Sequence, residues 1–371
     1  MARGVIALLG SGETAPGMTK VHRRLLGRLG KVRAINLDSP YGFQENVPQM
    51  TAKLVDYFAT SLRTVLHPVS FRSFDNASDF ERTIVRQQVR EANYVFAGPG
   101  SPSYALAQWQ PLHITEEFKR VLDAGGTLCF SSAAVVTLGR FAAPIYEIYK
   151  VGTTPYWLEG LDLLSVAGLS CVAIPHFDNA EGANYDTRFC YLGERRLEYL
   201  ESLLPDDVAT LGVDEHTALI FDLEDDTAEV TGRGNAYWRH GDTTRTLDNG
   251  SVTSLGELRN TNSSPRRVTF AEVPPDDDLL GLARIVESGG EGASEALALL
   301  VRRCGKHNGA KSELAPLVDG VLRIRQSAKS EGNYQLADGL RSILTDVGIE
   351  IQDGPTATTW RFLEKDTDSI N

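Results

Sequence analysis

The chain has 371 residues, 42% hydrophobic and 23% charged, with 49 acidic against 37 basic side chains and a net charge of −12. An apolar fraction of this size can bury a core and excludes global disorder, while the acidic balance argues against a generic polyanion binder. No apolar run approaches the roughly 18 residues of a membrane span, and four cysteines without a CxxC pair (Cys129, Cys171, Cys190, Cys304) offer neither a zinc knuckle nor a disulfide framework.

The opening Met1-Ala2-Arg3-Gly4 runs straight into an apolar segment, without the charged and apolar regions of a secretory leader, so a cytoplasmic protein is expected. Residues 5–9 read as a strand ending in Gly10-Ser11-Gly12. A helical pattern over 17–30 follows, then a strand over 32–37, a helix over about 46–62 and a strand-like segment at 63–66. Residues 94–97 are a buried-type strand, and 127–130 are another strand, preceded by a helix over about 114–124. This alternation predicts an α/β fold whose mostly parallel sheet is flanked by helices. Such sheets carry their chemistry in loops at the carboxyl ends of strands.

Between 205 and 255 the segments become short and alternating, punctuated by Gly232, Gly234 and Asp248-Asn249-Gly250, and predict antiparallel extension or edge strands. Residues 259–278 are polar and Pro-punctuated, a linker between a domain at 1–258 and a helical module at 279–371, with helices at 279–303 and 312–346.

Three segments carry candidate chemistry. Gly125-Gly126-Thr127-Leu128-Cys129-Phe130-Ser131-Ser132-Ala133-Ala134 runs a buried strand into two serines and small residues, the layout of a nucleophile elbow or of an ordinary helix N-cap. Phe96-Ala97-Gly98-Pro99-Gly100-Ser101 follows a strand with glycines that can turn backbone N–H groups toward an oxyanion, or simply make a strand-to-helix turn. Ile174-Pro175-His176-Phe177 places one of only seven histidines at the end of an apolar run, as a general base or a hydrogen-bonded structural residue. Gly10-Ser11-Gly12 imitates a dinucleotide fingerprint, but its third glycine is misplaced and Pro16 sits where the helix should begin. Arg188, Arg195 and Arg196 read first as a solvated face and second as a substrate-carboxylate clamp.

Together these segments resemble the aspartyl dipeptidase (dipeptidase E)/cyanophycinase family of serine peptidases over roughly residues 5–222. The family's Gly-Gly-Gly loop is matched by Gly98-Pro99-Gly100-Ser101, its Ser-Ala-Gly-Ala elbow by Ser132-Ala133-Ala134-Val135, and its Pro-His-Phe segment by Pro175-His176-Phe177. Its Gly-Ile-Asp-Glu-x-Thr-Ala strand is matched by Gly212-Val213-Asp214-Glu215-His216-Thr217-Ala218. The resemblance implies a class I glutamine amidotransferase-like fold, Ser132 as nucleophile, His176 as base, and Gly100 and Ala133 as oxyanion donors. It implies Glu147, fifteen residues after the serine, as the acid behind the histidine. Asp178 is the competing orienter, and Ser131 is an alternative elbow serine. Of Glu215 and His216, alternation along a strand allows at most one to line the cleft. The implied substrate is a small peptide, of the Asp-containing or isopeptide kind, and no metal or organic cofactor is required. A catalytically silent ligand-binding protein on the same fold is the alternative, because Ala134 and Pro99 stand where the family has glycine.

Residues 314–363 resemble the C-terminal tail of cysteinyl-tRNA synthetases, through Leu322-Arg323-Ile324-Arg325-Gln326-Ser327-Ala328-Lys329 and Tyr334-Gln335-Leu336-Ala337-Asp338-Gly339-Leu340-Arg341. The pattern is a two-helix hairpin, with Leu317, Val321 and Ile324 on one stripe and Leu336, Leu340 and Leu344 on the other. It reads first as a packing or dimerisation module that would make a homodimer. A tRNA contact comes second, since basic and acidic residues balance here.

Overall fold

The computed structural model describes residues 3–241 and 243–261, and C-terminally residues 318, 322, 325, 326, 329, 334–346, 349–353 and 358–362. The chain divides into two compact units, residues 1–267 and 268–371.

In the first unit, β1 (Val5–Leu9) is apolar along its whole length and buried on both faces, as expected of a strand covered by helices on either side. It is followed by α1 (Pro16–Gly27), β2 (Ala34–Leu37), α2 (Val47–Ser61), β3 (Leu66–Val69) and α3 (Asp79–Glu91). Pro16 begins α1 at the position that needs no N–H. Ser78 and Glu81 close a reciprocal capping box on α3, worth about 1 kcal/mol. Next come β4 (Tyr94–Ala97), α4 (Pro102–Trp109), α5 (Ile114–Asp123), β5 (Thr127–Ser131) and the one-turn α6 (Ala133–Val136). Along α5, Ile114, Phe118, Val121 and Leu122 recur at helical spacing and are buried. Phe118 packs edge-on against Trp109 and Phe130, with ring centroids 5.9 and 5.3 Å away.

The short β6 (Phe141–Ala142) and β7 (Leu158–Glu159) pair with each other. Then come β8 (Cys171–Ile174), α7 (Glu194–Ser202), β9 (Ala209–Val213), β10 (Thr217–Asp222), β11 (Thr227–Gly232), β12 (Ala236–His240), β13 (Thr243–Leu247), β14 (Val252–Ser254) and α8 (Leu255–Thr261). Eight strands form one mixed sheet in the order β14-β11-β10-β1-β5-β4-β2-β3, parallel from β1 to β3 and antiparallel from β10 to β14. A second sheet has the order β13-β12-β9-β8. The alternating segments predicted after residue 205 are therefore shared between two sheets. The strand expected at 63–66 lies three residues later, because Arg63 takes a left-handed φ of 54° and breaks extension there. No helix among the described residues is long and apolar enough to cross a membrane.

In the second unit, α9 (Tyr334–Asp346) is followed by a hairpin of β15 (Ile349–Asp353) and β16 (Thr358–Phe362). Ala337, Leu340 and Leu344 are buried, as are Val318 and Leu322. The predicted helix at 279–303, the linker beyond residue 261, and Leu317, Val321 and Ile324 lie outside the described residues. Buried Arg325 makes a bidentate pair with Asp353 (2.7 and 2.8 Å), which also accepts from Lys329 at 3.0 Å. These cations hold the Asp353 carboxyl well below the usual carboxylate range.

Candidate active site

The carboxyl ends of β1, β4, β5 and β8 converge with the turn between β9 and β10. Ser132 leaves β5 with φ 53° and ψ −122°, a conformation that costs a non-glycine residue roughly 1–3 kcal/mol and persists only where its surroundings impose it. The imposition is visible: the Ser132 N–H donates to Leu9 O at 3.0 Å, and its carbonyl accepts from Val135 N at 2.9 Å. Ser132 is half-buried. Ser131 ends β5, fully buried, and its Oγ donates to Glu13 Oε2 at 3.0 Å. The sharp turn therefore falls on Ser132 and not on Ser131. Ala134 lies in the helical turn of α6 and is not among the residues of positive φ, so its Cβ causes no conflict there.

His176 follows β8 with a φ of 48°. Its N–H donates to Gly10 O at 3.3 Å, and its carbonyl accepts from Asn179 N and Cys190 N at 3.2 and 3.0 Å. Thus held, its Nε2 stands 2.8 Å from Ser132 Oγ. The acid on its other side is not Glu147. His176 Nδ1 lies 2.6 Å from Glu215 Oε1, which also accepts from Asn179 Nδ2 at 3.0 Å. Asp178 supports this carboxylate indirectly, accepting the Glu215 N–H on its Oδ1 at 2.7 Å. A carboxylate on Nδ1 keeps the proton there and leaves the Nε2 lone pair facing the serine. The hydrogen bond from His176 holds the Glu215 carboxyl below its ordinary range, burial opposes it, and Asn179 adds to the lowering.

Glu147 opens a π-helical turn, Glu147–Val151, and its Oε1 accepts from Ser103 Oγ at 2.5 Å. The fifteen-residue spacing from Ser132 thus leads to a different serine. Glu215 sits in the turn between two strands, where neighbours need not alternate. His216 has a φ of 52° and turns its ring onto Gly12. The signal for Glu215 was present in the Asp214-Glu215 dipeptide, but not its partner.

Two glycines are demanded by close approach. A Cβ on Gly10 would lie 2.0 Å from Asp214 O, which brings the loop after β1 against the turn that carries Glu215. Gly100 has a φ of 148°, and a Cβ there would lie 1.9 Å from Pro40 O. Among the described residues, neither the Gly100 nor the Ala133 N–H donates to a protein acceptor. Both follow strands that are neighbours in the sheet, β4 and β5.

Other candidates are accounted for by packing. Cys129 is fully buried and its thiol is pushed up to about 12 by burial. Arg188 is taken up by Asp186 and Glu194. Beside His176, Tyr191 stands with ring centroids 6.3 Å apart, stacked on Tyr149 at 5.0 Å. Phe189, Cys190 and Tyr191 all have positive φ, and this strained run aims Tyr191 at the imidazole. Asp214 is buried with one oxygen taken by Asn235 N–H and Tyr237 Oη (2.8 and 3.2 Å); burial raises its pKa to about 6.

No protein-family model matches the chain. Among solved structures, it superposes on the crystal structure of a peptidase from an acI-B1 Actinobacterium, covering 68% of this chain and 97% of that one at 20% identity and a TM-score of 0.55. A putative peptidase E protein from Listeria monocytogenes is aligned over 67% of this chain and 99% of its own, at 11% identity and a TM-score of 0.40. The first likeness shows that the fold is shared. Among curated proteins, the cysteine–tRNA ligase of Rhodospirillum rubrum is 38% identical over 58 residues, 16% of this chain and 13% of that protein. The enzyme of Salinibacter ruber is 37% identical over 62 residues, 16% and 12% of the two chains. These matches fit the C-terminal tail, and the chain spans about an eighth of the ligases' length.

Proposed function

We propose that the first unit is a serine hydrolase that cleaves small peptides, with Ser132, His176 and Glu215 as its triad. The observation that carries this is the unbroken relay of 2.8 Å from Ser132 Oγ to His176 Nε2 and 2.6 Å from His176 Nδ1 to Glu215, mounted on a strained elbow. In this reading Ser132 Oγ attacks the scissile carbonyl carbon while His176 Nε2 takes its proton. Glu215 stabilises the imidazolium, and the Gly100 and Ala133 N–H groups hold the oxyanion. The imidazolium then protonates the leaving amine. A water, deprotonated by the same imidazole, attacks the acyl carbonyl and releases Ser132. The sequence resemblance contributes Asp-containing peptides and isopeptides as the substrate class. A silent binding protein would have no need to maintain an unfavourable φ at Ser132.

The test is labelling of the full chain with a fluorophosphonate. Wild type is expected to be modified at Ser132 and the Ser132→Ala protein to stay unlabelled. A wild-type protein that neither labels nor hydrolyses any dipeptide overturns the reading.

The second unit we assign to packing. Buried Arg325 and Lys329 both bond Asp353, at 2.7 and 3.0 Å, so these two cations hold their helix to the hairpin of the second unit. Salt-dependent tRNA binding by the full chain would contradict this.

A further inference from the structure

Glu147, released from the triad, lines a cavity of about 410 Å³ with Phe43, Ser101, Ser103, Tyr104 and Tyr146. Its Oε1 accepts from Ser103 Oγ, which lies 2.9 Å from Ser101 Oγ. Its Oε2 is buried and has no hydrogen-bond partner. A buried carboxylate oxygen left unpaired is costly, so a donor is expected to occupy that position when the site is in use. No lysine or arginine lines the cavity. Nearby Arg72 is engaged by Asp38 at 2.9 Å.

The remaining walls are aromatic. The Phe43 and Tyr104 rings lie 5.3 Å apart, and both Phe43 and Tyr146 keep substantial exposure, at 47% and 38%. A carboxylate that lines a cavity together with three aromatic side chains is the chemistry that attracts an ammonium or guanidinium group: ring quadrupoles and the anion act on the same cation. The cavity also borders the proposed chemistry. Ser101 directly follows Gly100 and caps α4. Glu147 shares its π-helical turn with Tyr149, which stacks on the Tyr191 that faces His176.

We propose that this cavity is a recognition subsite for a cationic group of the substrate, with Glu147 as the residue that determines specificity. Its location deepens the hydrolase reading and rests on it for its role in turnover, but the binding itself does not require catalysis. The cation has two sources, the α-ammonium of a peptide's first residue or a basic side chain.

The test is calorimetric titration of the full-length Ser132→Ala protein with three probes: argininamide (both cations), N-acetylargininamide (side chain only) and leucinamide (α-ammonium only). Argininamide is expected to bind, and one of the other two to retain most of that affinity, which identifies the source. Adding Glu147→Gln is expected to weaken the retained probe at least tenfold. Glu147→Asp, which keeps the charge, should weaken it less. A thermal melt of each variant verifies folding. Absence of argininamide binding overturns the proposal, as does equal binding by folded Glu147→Gln, or equal loss in folded Gln and Asp variants. Cation binding without fluorophosphonate labelling of wild type would sink the hydrolase reading and leave the subsite standing. Labelling without cation binding would do the reverse.

Discussion

Two serine–glutamate pairs lie at the same end of the sheet and differ in one component. At Ser132 an imidazole stands between hydroxyl and carboxylate, and Glu215 spends its hydrogen bonds on His176 and Asn179. At Ser103 the hydroxyl donates directly to Glu147, whose second oxygen stays unpaired. An imidazole bonded to a carboxylate on one nitrogen can take a hydroxyl proton on the other and pass it on, whereas a carboxylate that accepts a hydroxyl hydrogen bond directly acts as a fixed negative charge. In the proposed reading the first arrangement moves a proton and the second receives a positive charge. Distance from a serine along the chain does not distinguish them.

The comparison can be broken most severely at the imidazole. His176→Ala and Glu215→Gln are each expected to lower turnover by about 10⁴-fold, measured as kcat on whichever dipeptide wild type cleaves best. A loss under tenfold at Glu215 would return the acid's role to another group. Next is Gly100→Ala, where the added methyl meets Pro40 O and must displace the loop. The expected loss in kcat is roughly 100- to 1000-fold if one oxyanion donor is misaligned. Unchanged kcat would remove Gly100 from the reaction. Smaller again is Asp178→Ala, which deletes the acceptor of the Glu215 N–H. About a tenfold fall is expected, the equivalent of about 1.4 kcal/mol, together with a displaced pH–rate profile, since the effect acts through the orientation of Glu215.

Effects that leave the chemistry untouched concern stability and pH. His22 is buried, and burial depresses its pKa to about 4. As pH falls from 6.5 toward 4 the unfolded chain binds a proton that the folded chain refuses, so stability is lost across that window, by up to about 3 kcal/mol. Asp214, beside Glu215, is displaced the other way. Its folded pKa of about 6 means that the folded chain retains a proton the unfolded one has released, so this residue destabilises above pH 6 and the penalty fades on acidification. Asp214→Asn should raise Tm at pH 8 by an amount corresponding to about 2 kcal/mol and make the acid limb steeper. A change in Tm independent of pH would show that the carboxyl's ionisation is not involved.

Much of the parallel half was legible because local signals and tertiary structure agree there. Short, fully apolar segments such as Val5–Leu9, closed by a Gly-rich turn, fit a strand buried on both faces, and the turns mark where strands end. The displaced strand at Leu66–Val69 was less legible, since His67 and Pro68 carry no apolar alternation and the left-handed Arg63 has no sequence signature. The strands after residue 205 were recognisable individually, but not their division between two sheets, which depends on partners remote in sequence.

By itself the sequence determined the chain of alternating strands and helices, the seats of Ser132 and His176 at strand ends, and the glycines where backbones must touch, because hydrophobic period and turn chemistry act over a few residues. Only the tertiary structure decided which glutamate reaches the imidazole and which is left facing a cavity. Glu215 is 39 residues from His176 and Glu147 is 44 from Ser103, and contacts of that span are set by how strands order themselves in a sheet, which no local pattern encodes.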